Sequence, residues 1–260
     1  DLAIDRAAAV GLAAVAVRGS NHCGAMAYFA TRALSRDMIG WATTNALPTM
    51  APWGGTERIV GINPLAIAIP AGEEFPIVYD AAFSGSSHGK IRIYRQQGKT
   101  LPVGWALNRD GEPTIDPSEA MDGLLMPIGG YKGTALAMIM GILSTMLSGA
   151  SYGTELGDMA SGPRPGQDGH FFLALRIEAF ENVDRFKSRV DHAIRQVHDG
   201  RPIRGVEKIF VAGEREKQTR AYNLEHGIPL NSVVLSDLRR TVGELDLAIR
   251  EFDQLAVGSA

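Results

Sequence analysis

Disulfide crosslinking is the first thing this 260-residue chain lacks, because Cys23 is its only cysteine. One thiol can build neither an internal disulfide nor a multi-thiolate metal site, and it suits a reducing compartment, the cytoplasm by default. Long apolar runs are missing too. The longest, Thr134 to Ala150, is broken by Gly141, Ser144, Thr145 and Ser148, short of the roughly 18 uninterrupted apolar residues of a membrane span. It reads as a buried central helix, and no membrane is expected. Positive charge is not in surplus: 26 Lys and Arg face 29 Asp and Glu, a net charge of -3, which argues against a nucleic-acid partner. Nucleotide-fold fingerprints fail as well. Ser84-Gly-Ser-Ser-His-Gly-Lys90 has serine where a P-loop needs glycine and Ile91 where the magnesium-binding hydroxyl belongs. No Gly-x-Gly-x-x-Gly follows a strand. The six histidines are scattered, with no i, i+4 pair beside a glutamate, so no metal is expected.

What is present is a sequence of strand and helix signals. An alanine-rich amphipathic stretch opens the chain. Leu12 to Arg18 follows, valine-rich and bounded by Gly11 and Gly19, the pattern of a buried strand. Ser20 to Gly24 turns the chain, and Ala25 to Leu34 resumes a helical period, so His22 stands at a strand-to-helix corner. Ile39–Thr44, Leu65–Ile69, Ile77–Asp80 and Ile91–Tyr94 read as short strands crowded together without crossover helices. Parallel strands need such crossovers, so an antiparallel or mixed sheet is expected. Further along, Asp110-Gly-Glu-Pro and Asp116-Pro read as turns, and the Gly/Pro-rich stretch Ser161–Gly169 as a possible boundary. His170–Ile177 and Ile209–Val211 read as strands, Val183–Val197 as an amphipathic helix, and the end from Ser236 as helical.

Polar residues gather in the glycine and proline loops that these strands carry, where ligand contacts usually lie. In order they are Ser20-Asn-His-Cys-Gly24 with Tyr28, Thr44-Asn45, Ala51-Pro-Trp-Gly-Gly55, Gly61-Ile-Asn-Pro-Leu-Ala66, Asp80-Ala-Ala, Gly89-Lys-Ile91, Gly104-Trp-Ala106, Asp116-Pro117, Gly130-Tyr-Lys-Gly133 and Gly227-Ile-Pro229. This series resembles the malate/L-lactate dehydrogenase family of the non-Rossmann type, over nearly the whole chain. The resemblance implies an α/β fold: a mixed, mostly antiparallel sheet that binds NAD or NADP, with C-terminal helices, in a homodimer. It implies the main part of the cofactor domain in residues 1–160, a strand-helix-strand completing it in 161–212, and a helical part of a substrate domain in 213–260. It further implies hydride transfer between NAD(P)H and a small 2-keto or 2-hydroxy acid.

Position by position, the resemblance makes His22 the proton donor and acceptor, a role that a group with a pKa of about 6.5 suits. A lone loop histidine can equally just cap the following helix. Asn45, Ala46, Asp80, Ala81, Ala82, Lys132, Gly213 and Glu214 match the cofactor-binding positions. Four have a plainer reading beside that one: a turn residue at Asn45, a strand-end carboxylate satisfied by backbone N–H groups at Asp80, a solvated charge at Lys132 or Glu214. Trp53 and Trp105 take no role. Tyr131 stands where the family usually has histidine, and Thr134-Ala135 replace its usual Tyr-Gly. The family's upstream Ser-His-Gly, arginine and tyrosine, expected to clamp the substrate carboxylate, have no counterpart here, so the chain reads as a fragment. A second class stays open, a noncatalytic cofactor-binding or structural remnant.

Overall fold

The computed structural model describes residues 1–157 and 166–247. In chain order its elements are α1 (Leu2–Val10), β1 (Leu12–Ser20), α2 (Met26–Ala30), β2 (Met38–Thr44), β3 (Pro48–Met50), β4 (Val60–Gly61), β5 (Leu65–Ile69), β6 (Ile77–Ala81), α3 (His88–Gln96), β7 (Ala106–Leu107), β8 (Pro113–Thr114), α4 (Pro117–Asp122), β9 (Leu124–Leu125), α5 (Tyr131–Thr145), β10 (Asp168–Arg176), α6 (Val183–His198), α7 (Glu214–His226) and α8 (Ser232–Glu244). Two compact units divide the chain, residues 1–212 and 213–260. Within the second unit the described elements are α7 and α8.

The first unit holds two five-stranded sheets. One runs β1-β10-β2-β5-β6 with every neighbour antiparallel; the other runs β4-β3-β9-β7-β8 with one parallel pair, β3 and β9. The α/β reading with a mixed, mostly antiparallel sheet therefore holds. In the larger sheet the two faces carry different helices. Asp168, His170 and Phe172 of β10 share one face with Thr44 and Ala42 of β2, Ala66 of β5 and Asp80 of β6, through their cross-strand pairing. Helix α2 covers this face, burying Met26 and Ala30 against Ala42, Ala66, Ala68 and Phe172. Gly169 points to the opposite face, where a Cβ would come within 2.2 Å of the Ser144 carbonyl oxygen, so α5 lies there.

Helix α5 is only half buried, against the expectation of a buried helix. It is apolar all round, so composition does not say which side packs. The buried stripe is the small one: Gly133, Thr134, Ala137, Met140, Gly141, Ser144 and Thr145. A Cβ at Gly141 would sit 2.5 Å from Asn63 Nδ2, and such close approach leaves Leu136, Ile139, Ile142 and Met146 exposed. Among the described residues no helix is long and apolar enough to cross a membrane.

Three strand readings are corrected. Leu12–Arg18 belongs to an edge strand, half exposed along its length and lined on one face by α1. Ile91–Tyr94 is helical: the Ser87 hydroxyl accepts the Lys90 N–H and caps α3, and Ile91 alone of that stretch is buried. Its alternation of isoleucine with arginine and tyrosine imitated a strand. Ile209–Val211 forms no strand, although the next carbonyl, Ala212, accepts the Val78 N–H of β6 at 2.9 Å. Asp116-Pro117, read as a turn, is the cap and first residue of α4. Helix α8 begins at Ser232, upstream of Ser236, and α7 arises from the charged run at Glu214. Most of the Ser161–Gly169 boundary and the chain beyond 247 lie outside the described residues.

Candidate active site

His22 is exposed on the loop that leaves β1, and its ring is held locally: Nδ1 accepts the Gly24 N–H at 3.2 Å. The neutral ring therefore carries its hydrogen on Nε2. Beside this loop the first residues of β10 add two polar groups that the sequence did not mark as site residues, Asp168 and His170. Asp168 pairs with Ser20, two residues before His22, across a bulge in β1. Burial pushes the Asp168 carboxyl above the usual range, against a smaller pull downward from His22. His170 is 3% exposed, and its Nδ1 lies 2.8 Å from Thr44 Oγ1 and 3.9 Å from Cys23 Sγ. Its Nε2 is buried without a hydrogen-bond partner among the described residues, and burial holds its pKa below the ordinary histidine value. Burial thus favours the neutral form of this ring. Cys23 donates toward Met26 Sδ at 3.7 Å, and burial raises its pKa, so this thiol is a packing group and not a nucleophile.

Asp80 stands on the same sheet face, exposed at the end of β6. Its Oδ2 accepts the Ala27 N–H of α2 at 2.8 Å, which ties it to the His22 loop. Ala81 still pairs with Leu65 in the sheet, and Ala82 leads out of it toward buried Phe83. Asn45 is buried, with both ends of its amide engaged: Nδ2 donates to the Ser151 carbonyl at 3.3 Å and Oδ1 accepts the Gly169 N–H at 2.9 Å. The Ala46 N–H is bound by Asn63 Oδ1 at 2.9 Å, and Asn63 Nδ2 donates to the Ala137 carbonyl at 2.7 Å. A Cβ at Gly61 would strike the Ala46 carbonyl oxygen at 2.1 Å. Gly61-Ile-Asn-Pro64 is therefore a clamp that fixes the Asn45–Ala46 loop, with little hydrogen-bonding capacity left over for a ligand.

Lys132 lies elsewhere. It is exposed in the first turn of α5, on the helix covering the other sheet face, after Gly129 and Gly130, whose φ values are 59° and 64°. The Trp53 ring packs over Gly130, and the Trp53 N–H reaches Thr134 Oγ1 at 3.1 Å. Gly213 and Glu214 open α7 in the second unit, with Gly213 as a left-handed cap and Glu214 in a first turn that favours acidic side chains. The fold thus gathers His22, Asp80, Asp168, His170 and Thr44 on one face. Lys132 belongs to the other.

The sequence profile of malate/L-lactate dehydrogenases matches residues 1–239. The malate dehydrogenase of Pyrococcus abyssi is 37% identical over 95% of this chain and 71% of its own length. The solved sulfolactate dehydrogenase of Methanocaldococcus jannaschii superposes with a TM-score of 0.85 at 34% identity, covering 96% of this chain and 72% of that one. The malate dehydrogenase structure from Entamoeba histolytica reaches a TM-score of 0.88 at 32% identity, over 95% and 72%. With an antiparallel sheet in place of a Rossmann domain and a profile match across almost its whole length, the chain belongs to the malate/L-lactate dehydrogenase family.

Proposed function

We propose that this protein transfers hydride between NAD or NADP and a small 2-hydroxy or 2-keto acid, with His22 moving the accompanying proton. The observation that carries the reading is an exposed imidazole, bound among the described residues through one local contact, beside a second and neutral histidine and a half-buried carboxyl. Once the ring is charged, Nδ1 also bears a hydrogen and the Gly24 contact is released. Nε2 then delivers its proton to the substrate oxygen during reduction and takes it back during oxidation. A bound nicotinamide would supply or accept the hydride.

The residues at the start of α5 fit the pyrophosphate of a dinucleotide. Helix α5 opens at Gly130 without a side-chain cap, so its first-turn N–H groups and the exposed Lys132 ammonium suit a pyrophosphate. The family resemblance also assigns Ala81, Ala82, Asn45 and Ala46 to the cofactor and, within the second unit, Gly213 and Glu214; it assigns Asp80 too, which the geometry below reassigns. Lys132→Met is expected to weaken NADH binding about tenfold with kcat less affected; an unchanged Kd in a fluorescence titration would take Lys132 off the cofactor. The activity itself is tested with a panel of 2-keto acids, following loss of NADH and NADPH absorbance. Cofactor binding with no turnover on any of them would favour the noncatalytic remnant.

Self-association and a cytoplasmic location belong to the same proposal. The single Cys23 suits the second. For the first, Leu136, Ile139, Ile142 and Met146 form an exposed apolar stripe on α5 that a second copy would cover. A dimer is expected in sedimentation equilibrium, and a monomer at tens of micromolar would remove it.

A further inference from the structure

We infer that Asp80 is a positioning residue for His22, acting through the first turn of α2. The inference rests on the proton-transfer role proposed for His22 and deepens it, moving Asp80 from the cofactor to the scaffold of the acid-base group.

Helix α2 has five residues and runs into a 3-10 turn, Thr31–Arg36, together still too short to persist on their own hydrogen bonds. Its N-terminus also lacks every usual support. The cap residue is Ala25, extended at φ -73° and ψ 130°, with no side chain to accept an N–H and no acid in the first turn. A serine or aspartate at that position would take the N–H two or three residues on. Here that N–H, from Ala27, goes to Asp80 Oδ2 at 2.8 Å, supplied from 53 residues away in sequence. The carboxylate does what the local cap cannot, and its charge also complements the helix dipole.

The consequence reaches His22. Only Cys23, Gly24 and Ala25 separate it from α2, and its ring is fastened to Gly24 within the same loop, so the ring goes where the loop goes. At its upstream end the loop is held by β1. At its downstream end the Asp80 bond fastens the start of α2 to β6, on the sheet face that carries His170 and Thr44. Release of that end lets the imidazole drift, and a displacement of about 1 Å in a reacting group can cost on the order of a hundredfold in rate.

The test uses Asp80→Ala and the double variant Asp80→Ala/Ala25→Ser, which puts a local cap where the exposed Ala25 stands. Three quantities are measured: NADH Kd by fluorescence, kcat on the best 2-keto acid, and hydrogen exchange of the peptide spanning residues 21–30. In Asp80→Ala we expect kcat to fall about 10- to 100-fold, NADH Kd to stay within about twofold, and exchange of the peptide to accelerate. The added serine should return both kcat and protection most of the way to wild type. A tenfold weaker NADH Kd that the serine does not repair overturns the inference, because the carboxylate then touches the cofactor. Unchanged exchange in Asp80→Ala overturns it also. Faster exchange with unaltered kcat overturns it too, whereas the parent reading stands or falls separately on the turnover of His22→Ala.

Discussion

Alanine in place of His22 should lower kcat on the best 2-keto acid by about 10²- to 10⁴-fold, the range that a positioned general acid or base contributes. NADH affinity and thermal stability should barely change. The second half of that expectation makes the experiment decisive, and it follows from the geometry. The His22 ring is exposed, and removing it forfeits one 3.2 Å contact with Gly24, worth at most a few tenths of a kcal/mol in water. The neighbouring His170 would make a poor control for the opposite reason. It is buried, bonded to Thr44 and packed near Phe172, so its loss would disturb the sheet and confuse folding with chemistry. Steady-state kinetics with NADH titration and a thermal melt on His22→Ala separate the two. Turnover within threefold of wild type would strip His22 of its role and leave the family membership without an acid-base group in this chain.

Much of this arrangement could be read from the chain, and the remainder could not, for identifiable reasons. Strands β2, β5, β6 and β10 were legible because valine, isoleucine and aromatic residues run between glycine and proline breaks. His22 was legible as a loop residue between a strand and a helix. The Ile91 segment failed because period-two alternation over four residues competes with a cap, Ser87, that acts only when the chain already turns there. For α5 the pattern was apolar on every side, and the packed side proved to be the one with small residues, which no hydropathy scale ranks first. Asp168, Thr44 and His170 meet only through strand register: His170 opposite Thr44, Asp168 opposite Ser20. Nothing in the order of residues announces a register. Asp80 carried a motif-like signal for a cofactor, while its partner, the Ala27 N–H, has no side-chain signature at all.

Asp191→Asn should destabilise the fold by about 2–4 kcal/mol at neutral pH, lowering Tm by roughly 5–15 °C for a chain of this size. The effect should fade in acid. Helix α6 buries only Asp191 and Ile194, so it has little apolar contact to hold it. What holds it is a clasp. Asp191, 5% exposed, accepts three backbone N–H groups from the loop joining β5 and β6: Gly72 at 2.9 Å, Glu73 at 2.9 Å and Glu74 at 3.1 Å. A Cβ at Gly72 would lie 2.6 Å from the carboxylate, so the glycine makes the approach possible. Arg195, one turn later, adds bonds to Glu73 and Glu74 at 2.7 Å each. Arg195 is exposed and water screens both of its ion pairs, so Arg195→Met should be mild. Burial alone would raise the Asp191 pKa, but the three N–H groups and the Arg195 charge outweigh it and hold the carboxyl below its usual range. For an acid with a depressed folded-state pKa, the stabilisation is complete above the unfolded value, about 3.9, and is lost as pH falls through the lower folded value. Urea midpoints for wild type and Asp191→Asn should therefore stay apart from pH 7 down to about 4 and converge below it. A gap that is the same at pH 7 and pH 3 would mean that Asp191 acts by shape alone, with its ionisation playing no part in holding α6.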